Sequence, residues 1–388
     1  MTTNISNTDH IILFSLLFLI FFLWGKYTCD VKNDKIFWLL AIIPIASYSL
    51  IVGSRYMWGV DYIVYKSIYE LPFIEQETQV AFTWLNNGLI ALGFNYVGAF
   101  IVYSLIFIMG VLLFLRDYGK SAKYMYAFVV PFTMAFATTF IRQGVALGFG
   151  FMALHFFQSR KWLWMLFFVI TALSIHFAVV IILIPLCLIY FFVKRPLNWK
   201  ITIPAYLFFA LLFDVNKITF IANYIQVLPI PSLFSHYLEN ADQWFGQDAI
   251  QEQWNQTTFA LIMSSMFNVF IIYLGFVALK LRPQKQVTYI YNAMVIGMIV
   301  VRAVFNIELL RRTVTPFEML SFIVLGYILY CYKKREINPI KLTKKGLGVI
   351  TLPILLQDCM LVGIFFYIIL YYGRFLLLNP DAMFFWNH

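Results

Sequence analysis

Arg142 and Gln143 stand between two apolar runs, in the stretch FATTFIRQGVALGFGFMAL. A guanidinium at such a place needs an anionic partner, and the neighbouring sequence offers few acidic residues. The planar guanidinium donates paired hydrogen bonds to phosphate oxygens and keeps its charge at any working pH. We therefore expect Arg142 to bind an anionic group of a substrate.

Three more arginines cluster near the C-terminal end, in RAVFNIELLRRTVTPFEM. Glu308 has the helical spacing to pair with Arg311 or Arg312. That pairing leaves at least two guanidinium groups, Arg302 among them, without a local partner. A pyrophosphate would satisfy them.

A carboxylate and a tyrosine stripe occur together in GSRYMWGVDYIVYKSIYELPF. Asp61 stands where it can cap a helix, and Tyr62, Tyr65 and Tyr69 then share one side of that helix. The carboxylate is a candidate general base, and the tyrosine faces suit a sugar ring. The alternative is a capping Asp61 with a belt of interfacial tyrosines. Arg55 is placed to orient either Asp61 or a donor oxygen.

His176, in TALSIHFAVVIILIPL, lies near the end of an apolar run on the same predicted side as Arg142. A lone histidine in such a run is either a packing residue or a second candidate base. Both interpretations stay open.

The elements that carry these residues are membrane helices. Of 388 residues, 62% are hydrophobic and 12% charged, a balance that a water-soluble domain could not bury. We predict an all-α polytopic transmembrane bundle, a single integral membrane domain over residues 1–388 with about 12 spans. The predicted spans are 11–24, 36–52, 96–115, 124–140, 143–158, 162–175, 177–193, 201–213, 258–279, 287–304, 313–332 and 350–372.

The basic residues orient this bundle. With the N-terminus outside, 20 of the 28 lysines and arginines fall on the cytoplasmic side, as the positive-inside rule requires. Six of the eight outer ones are arginine, whereas fifteen of the twenty inner ones are lysine. The net charge of +10 is spread over short loops, which favours membrane lipids over nucleic acid as partners.

Two predicted outer loops are long enough to carry function: 53–95, with its amphipathic helix, and 214–257. Their aromatic content argues against disorder. We therefore expect the active face to be extracytoplasmic.

The chain resembles a known family at three places. GVDYIVYKSIY with FTWLNNGLIALGFNYVGAFIVYSLIF is similar to the N-terminal signature of the EpsG family, the Wzy-like exopolysaccharide polymerases. FIRQGVALGFGFMAL resembles that family's Arg-Gln motif, and LSIHFAVVIILIPL its small-residue and His motif. The resemblance runs from about residue 36 to 335.

The resemblance implies a glycosyltransferase, GT-C-like in fold, in the bacterial inner membrane. The predicted first outer loop has no clean Asp-x-Asp pattern, so we expect this enzyme to be metal-independent. It would join undecaprenyl-diphosphate-linked repeat units at the outer leaflet, with no cofactor, alongside assembly proteins such as a chain-length regulator and a flippase. Arg142, Arg302, Arg311 and Arg312 would hold the diphosphate, and Gln143 would hydrogen-bond sugar hydroxyls. A polysaccharide ligase and a lipid-linked-sugar flippase remain as alternatives.

Overall fold

The computed structural model describes residues 8–59, 61–71, 79–213, 257–335, 354–377 and 383–384. The predicted second outer loop lies outside these residues, apart from its last position. The described residues are helical almost throughout. In chain order the helices are α1 Thr8–Thr28, α2 Asp34–Gly53, α3 Tyr62–Glu70, α4 Val80–Ala91, α5 Tyr96–Arg116, α6 Met125–Thr138, α7 Ile141–Gln158, α8 Trp162–Ile175, α9 Val180–Phe192, α10 Trp199–Leu211, α11 Thr258–Leu281, α12 Lys285–Ala303, α13 Glu308–Met319, α14 Ser321–Arg335 and α15 Ile354–Leu377.

Two short 3-10 helices, Gly119–Tyr124 and Phe177–Val179, and two short strands complete the described elements. Strand β1, Arg55–Tyr56, pairs antiparallel with strand β2, Met383–Phe384, and Arg55 stands opposite Phe384 in the register. The pair joins the segment after α2 to the segment after α15.

Each of the twelve predicted spans coincides, in its described part, with one of these helices or a consecutive pair. Within the described ranges, seven helical segments are long and apolar enough to cross a membrane. Others are short: α8, α9 and α10 have 13 or 14 residues. At 1.5 Å per residue they reach only about 20 Å, against roughly 30 Å of hydrocarbon. The protein is thus a multi-pass helical membrane protein, while the count of twelve stays a prediction.

The segment predicted as 313–332 has different bounds in the structure. It consists of α13 and α14, which meet at Leu320, and α13 already begins at Glu308. The difference arises because the first turns of α13 are charged, so hydrophobicity alone hides them. The helix is amphipathic: Pro316, Phe317 and Met319 are buried near its end.

The described chain divides into two compact units. The first unit comprises Met1–Leu183, Leu325–Lys334 and Ile368–His388, and the second comprises Ile184–Val324 and Arg335–Tyr367. The expected single integral domain stays a prediction.

In the first unit, glycines let α7 pack in close contact with α5 and α6. A Cβ added to Gly110 would lie 2.0 Å from the carbonyl oxygen of Gly148, and one added to Gly144 would lie 2.2 Å from that of Phe136. No side chain larger than hydrogen fits there. The small-residue pattern in GVALGFG therefore acts in helix packing, and it fixes the helix that begins beside Arg142.

Two contacts of the first unit lie at opposite ends of its helices. At one end, the rings of His10 and Trp58 meet edge to face with centroids 5.2 Å apart. At the other end, Nδ1 of His155 lies 2.8 Å from Asp117. The first set comes from segments predicted to be outer, and the second from segments predicted to be cytoplasmic. Which side of the membrane each of these ends faces stays a prediction.

The second unit is also held by close helix contacts. A Cβ on Gly297 would lie 2.1 Å from that of Phe317, so α12 and α13 pack without a gap. Tyr291 donates a hydrogen bond of 2.9 Å to the carbonyl of Ile272, which ties α12 to α11. These contacts set the position of the last turn of α12.

Candidate functional site

Arg142 lies in the first turn of α7 and is half-buried. Across the part of the chain that the structure describes, no residue accepts a hydrogen bond from its guanidinium or forms an ion pair with it. The helix start adds backbone N–H groups that have no partner within the helix, and Phe140 at the cap supplies no side-chain bond. Both features favour an anion at this position.

His176 lies close enough to Arg142 to interact with it electrostatically. It occupies the break after α8 in an extended conformation, with φ −155° and ψ 101°. Its Nδ1 atom is buried and has no hydrogen-bond partner among the described residues. Burial and, to a smaller extent, the positive charge of Arg142 lower the pKa of His176 to about 3. The imidazole is therefore neutral at physiological pH, and its basicity is far below that of an efficient general base.

Gln79, directly before α4, contacts this break. Its Oε1 atom accepts a hydrogen bond of 2.8 Å from the backbone N–H of Phe177, the residue after His176. Sequence reasoning missed Gln79, because a single polar residue next to an apolar run has no periodic signature. The bond fixes the start of α4 against the break that carries His176.

Arg55 is placed differently from the sequence expectation. Its side chain is 1% exposed, and it donates to the carbonyls of Val52 at 2.8 Å, Trp58 at 3.1 Å and Thr138 at 3.3 Å. The guanidinium also lies 4.9 Å from the centroid of the Phe100 ring. Burial lowers the pKa of Arg55 to about 10, which still leaves it charged at neutral pH.

These contacts use three of the N–H groups of Arg55 in the protein interior, which does not fit its predicted role in orienting Asp61 or a donor oxygen. A buried guanidinium whose donors are used by backbone carbonyls holds those carbonyls in place. One of them, that of Thr138, belongs to the end of α6, directly before the turn that leads into Arg142. Arg55 is thus a positioning residue for that turn.

Gly59 fits against the same turn. Its φ is +106°, and a Cβ added to it would lie 2.1 Å from the carbonyl oxygen of Thr138. Gly59 therefore packs directly on the end of α6, just before the turn that leads to Arg142. Asp61 follows shortly after Gly59, half-buried at the start of α3.

Asp61 does not act as a helix cap through its side chain. It stands at the capping position of α3, yet its side chain makes no capping hydrogen bond, and its backbone carbonyl accepts from Tyr65 N at 3.0 Å. The capping interpretation is therefore wrong for the side chain. The role of general base stays a prediction.

The tyrosine stripe of α3 faces the protein. Tyr62 is 1% exposed, and its ring meets those of Tyr96 and Phe100 edge to face. Tyr65 is half-buried, with its ring centroid 5.9 Å from that of Phe82. The expectation that Tyr62 offers a ring face to a sugar does not fit this burial, because its ring already packs on α5. For Tyr65 the sugar role stays a prediction.

In the second unit, Arg312 forms the predicted ion pair with Glu308, one helical turn away on α13. Arg311 and Arg302 both lie over the ring of Phe305, each 5.3 Å from its centroid. The ring keeps the two guanidinium groups near each other while offering both a favourable face.

Arg302 is buried in the last turn of α12, and Glu318 of α13 interacts electrostatically with both Arg302 and Arg311. The expectation that at least two of these guanidinium groups lack a local partner is therefore corrected. Glu318 lies near the opposite end of α13 from Glu308, too far along the helix for the spacing rule of helical ion pairs to indicate it. Among the described residues, Glu308 and Glu318 are the carboxylates that interact with these three guanidinium groups.

Gln143 is buried beside Arg142. Its expected bond to sugar hydroxyls stays a prediction. Each unit thus contains arginines suited to an anion, and the first also contains the buried imidazole of His176 and the half-buried carboxylate of Asp61.

Comparison with curated proteins finds no match, and comparison with solved structures finds none either. A family model does match: the EpsG family, over residues 38–344. The match covers most of the chain, including Arg55, Asp61, Arg142, His176 and the α13 arginines. It supports the interpretation of the chain as an exopolysaccharide polymerase-like membrane protein. The chain belongs to the EpsG family.

Proposed function

We propose that this protein is a polysaccharide polymerase, which joins undecaprenyl-diphosphate-linked repeat units by glycosyl transfer at the outer leaflet of the bacterial inner membrane. The observation that carries the proposal is the guanidinium of Arg142. It is half-buried at a helix start and has no protein partner among the described residues. A diphosphate is the chemical group that matches a guanidinium and the N-terminus of a helix together.

The chemistry needs little beyond these residues. The bond from the anomeric carbon to the diphosphate breaks, and negative charge builds on the leaving group. A positioned arginine stabilises that charge without any proton transfer. The acceptor hydroxyl attacks the anomeric carbon and loses its proton to a base.

Asp61 is the better candidate for that base. Its side chain is not used in a cap, whereas His176 is held neutral with a pKa of about 3. A neutral imidazole with so low a pKa suits a hydrogen-bonding role beside Arg142 rather than proton removal at neutral pH. We assign Asp61 as the base and His176 as a neutral neighbour of the diphosphate.

Arg302, Arg311 and Arg312 are assigned to diphosphate binding within the second unit. Arg312 is ion-paired with Glu308, Arg302 is the most deeply buried, and Arg311 interacts with Glu318 and the ring of Phe305. Substrate recognition in the first unit then depends on Arg142, Gln143 and Tyr65. A GT-C-like fold, twelve spans, an extracytoplasmic active face and metal independence belong to the same proposal.

A ligase that moves finished polymer to another acceptor shares the donor chemistry, and a flippase would also bind the diphosphate. The test is purified protein with a lipid-linked repeat unit, scoring polymer and released undecaprenyl diphosphate. We expect polymer and undecaprenyl diphosphate to form together, at proportional rates. Release without polymer would contradict the proposal in favour of a ligase or hydrolase, and binding without release would favour a flippase.

A further inference from the structure

Tyr206 of α10 lies at the centre of a buried polar network around Arg302. Its side chain is 0% exposed, and its phenol oxygen accepts hydrogen bonds from Arg302 Nε at 3.0 Å and from Asn268 Nδ2 at 2.9 Å. Three helices, α10, α11 and α12, thus meet at one oxygen atom. A polar junction of this kind is costly in a membrane protein unless its members are satisfied, and such junctions mark functional places.

Ser264 of α11 extends the network. Its hydroxyl accepts from Arg302 Nη2 at 2.8 Å and donates to the carbonyl of Leu261 at 3.1 Å. The hydroxyl is therefore directed by its own backbone bond. Arg302 is gripped at two different nitrogens, which fixes the plane of its guanidinium.

We propose that Tyr206 is a positioning residue, which aligns Arg302 for the diphosphate; this inference rests on the proposed function. Nε and Nη2 are both held, so the group cannot rotate about its Cδ–Nε bond without breaking one of the two bonds. A fixed plane matters because a guanidinium binds phosphate through paired, directional N–H groups. Preorganised donors stabilise developing charge without reorganising during the reaction.

Asn268 gives Tyr206 its orientation in turn. The amide is buried, and its N–H group occupies one of the two lone pairs of the phenol oxygen while Arg302 occupies the other. The phenol oxygen is thus held by two donors from two different helices. Phenylalanine at position 206 would keep the packing but remove the shared acceptor.

The test uses Tyr206→Phe with Tyr291→Phe as its matched control. Both changes remove one buried hydroxyl in the second unit, but that of Tyr291 donates to the carbonyl of Ile272 on α11. Binding of undecaprenyl diphosphate and of undecaprenyl monophosphate is measured on purified full-length protein, together with thermal unfolding and turnover. Arg302→Lys, which keeps the charge but lacks the planar fork, is measured alongside.

We expect Tyr206→Phe to weaken diphosphate binding roughly ten- to a hundredfold, the usual value of one hydrogen bond to a charged group. Monophosphate binding should change less, and Tyr291→Phe should lower the unfolding temperature similarly while leaving binding within about twofold. Equal binding losses in the two tyrosine variants would overturn the positioning role. Unchanged binding in Arg302→Lys would instead overturn the proposed diphosphate role of Arg302 itself.

Discussion

Replacing Gly59 with alanine tests whether the contact between Gly59 and Thr138 sets the position of Arg142. The structure places the new methyl group 2.1 Å from the carbonyl oxygen of Thr138, in a backbone with φ +106°. To reach ordinary contact, the carbonyl must move by about 1 Å or more. That carbonyl ends α6, directly before the turn into α7, so the displacement is passed to Arg142.

The magnitude follows from two separate costs. A non-glycine residue in this backbone region costs about 1–3 kcal/mol, and forcing a methyl group into a filled space costs about 1–3 kcal/mol more. A misplacement of roughly 1 Å at a group that stabilises a transition state lowers turnover about a hundredfold. We therefore expect a moderate loss of stability and a large loss of polymer formation.

Gly93 provides the matched control. Its φ is +79°, and a Cβ there meets nothing within 4 Å. Gly93→Ala carries the backbone cost without the clash. The assay compares unfolding in detergent and turnover of a lipid-linked repeat unit for both variants. If Gly59→Ala keeps the turnover of Gly93→Ala, the contact with Thr138 does not position Arg142, and the reasoning is refuted.

Three further predictions concern individual side chains. Asp61→Asn should lower turnover at least about a hundredfold while donor binding changes little, since it removes a base; equal losses of both would instead indicate a structural role. Because burial lowers the pKa of His176, the neutral imidazole leaves the free energy of unfolding at its full value above about pH 6.5, and stability falls as the pH drops toward 3. His176→Gln should flatten this decline when unfolding is measured as a function of pH. An unchanged slope would contradict the burial argument. Glu308→Gln breaks a partly exposed ion pair with Arg312 and should lower the free energy of unfolding by at most about 1 kcal/mol. Diphosphate binding should become tighter, because Arg312 is released from this pair. Weaker binding would count against Arg312 as a diphosphate ligand.

Much of the architecture follows from the sequence because apolar runs and charge bias are strong signals in a membrane protein. The twelve predicted segments all coincide with helices in their described parts, and the glycines of GVALGFG act in packing as expected. The bounds of the helices are harder to predict from the sequence than their positions. The charged first turns of α13 hid its start, since a hydrophobic window sees only the buried end of an amphipathic helix.

The candidate site was predictable by residue type but not by orientation. Arg55 and Arg142 look alike in the sequence, yet the first is 1% exposed and bound to three carbonyls, while the second has no described partner. Residues such as Tyr206 and Asn268 were missed because each is a single polar residue in an apolar run. A search for polar residues inside the predicted spans could have found them, because a polar side chain in a membrane segment is costly and is therefore a candidate functional residue.

The most direct test of the central claim is Arg142→Lys in purified protein supplied with a lipid-linked repeat unit. Lysine keeps the positive charge but lacks the paired N–H groups that match a diphosphate. Arg116→Lys is the control, since Arg116 pairs with Asp34 at the opposite end of the first unit. The account predicts that Arg142→Lys loses polymer and undecaprenyl diphosphate release together, while Arg116→Lys keeps both. Full-length polymer from Arg142→Lys would contradict it.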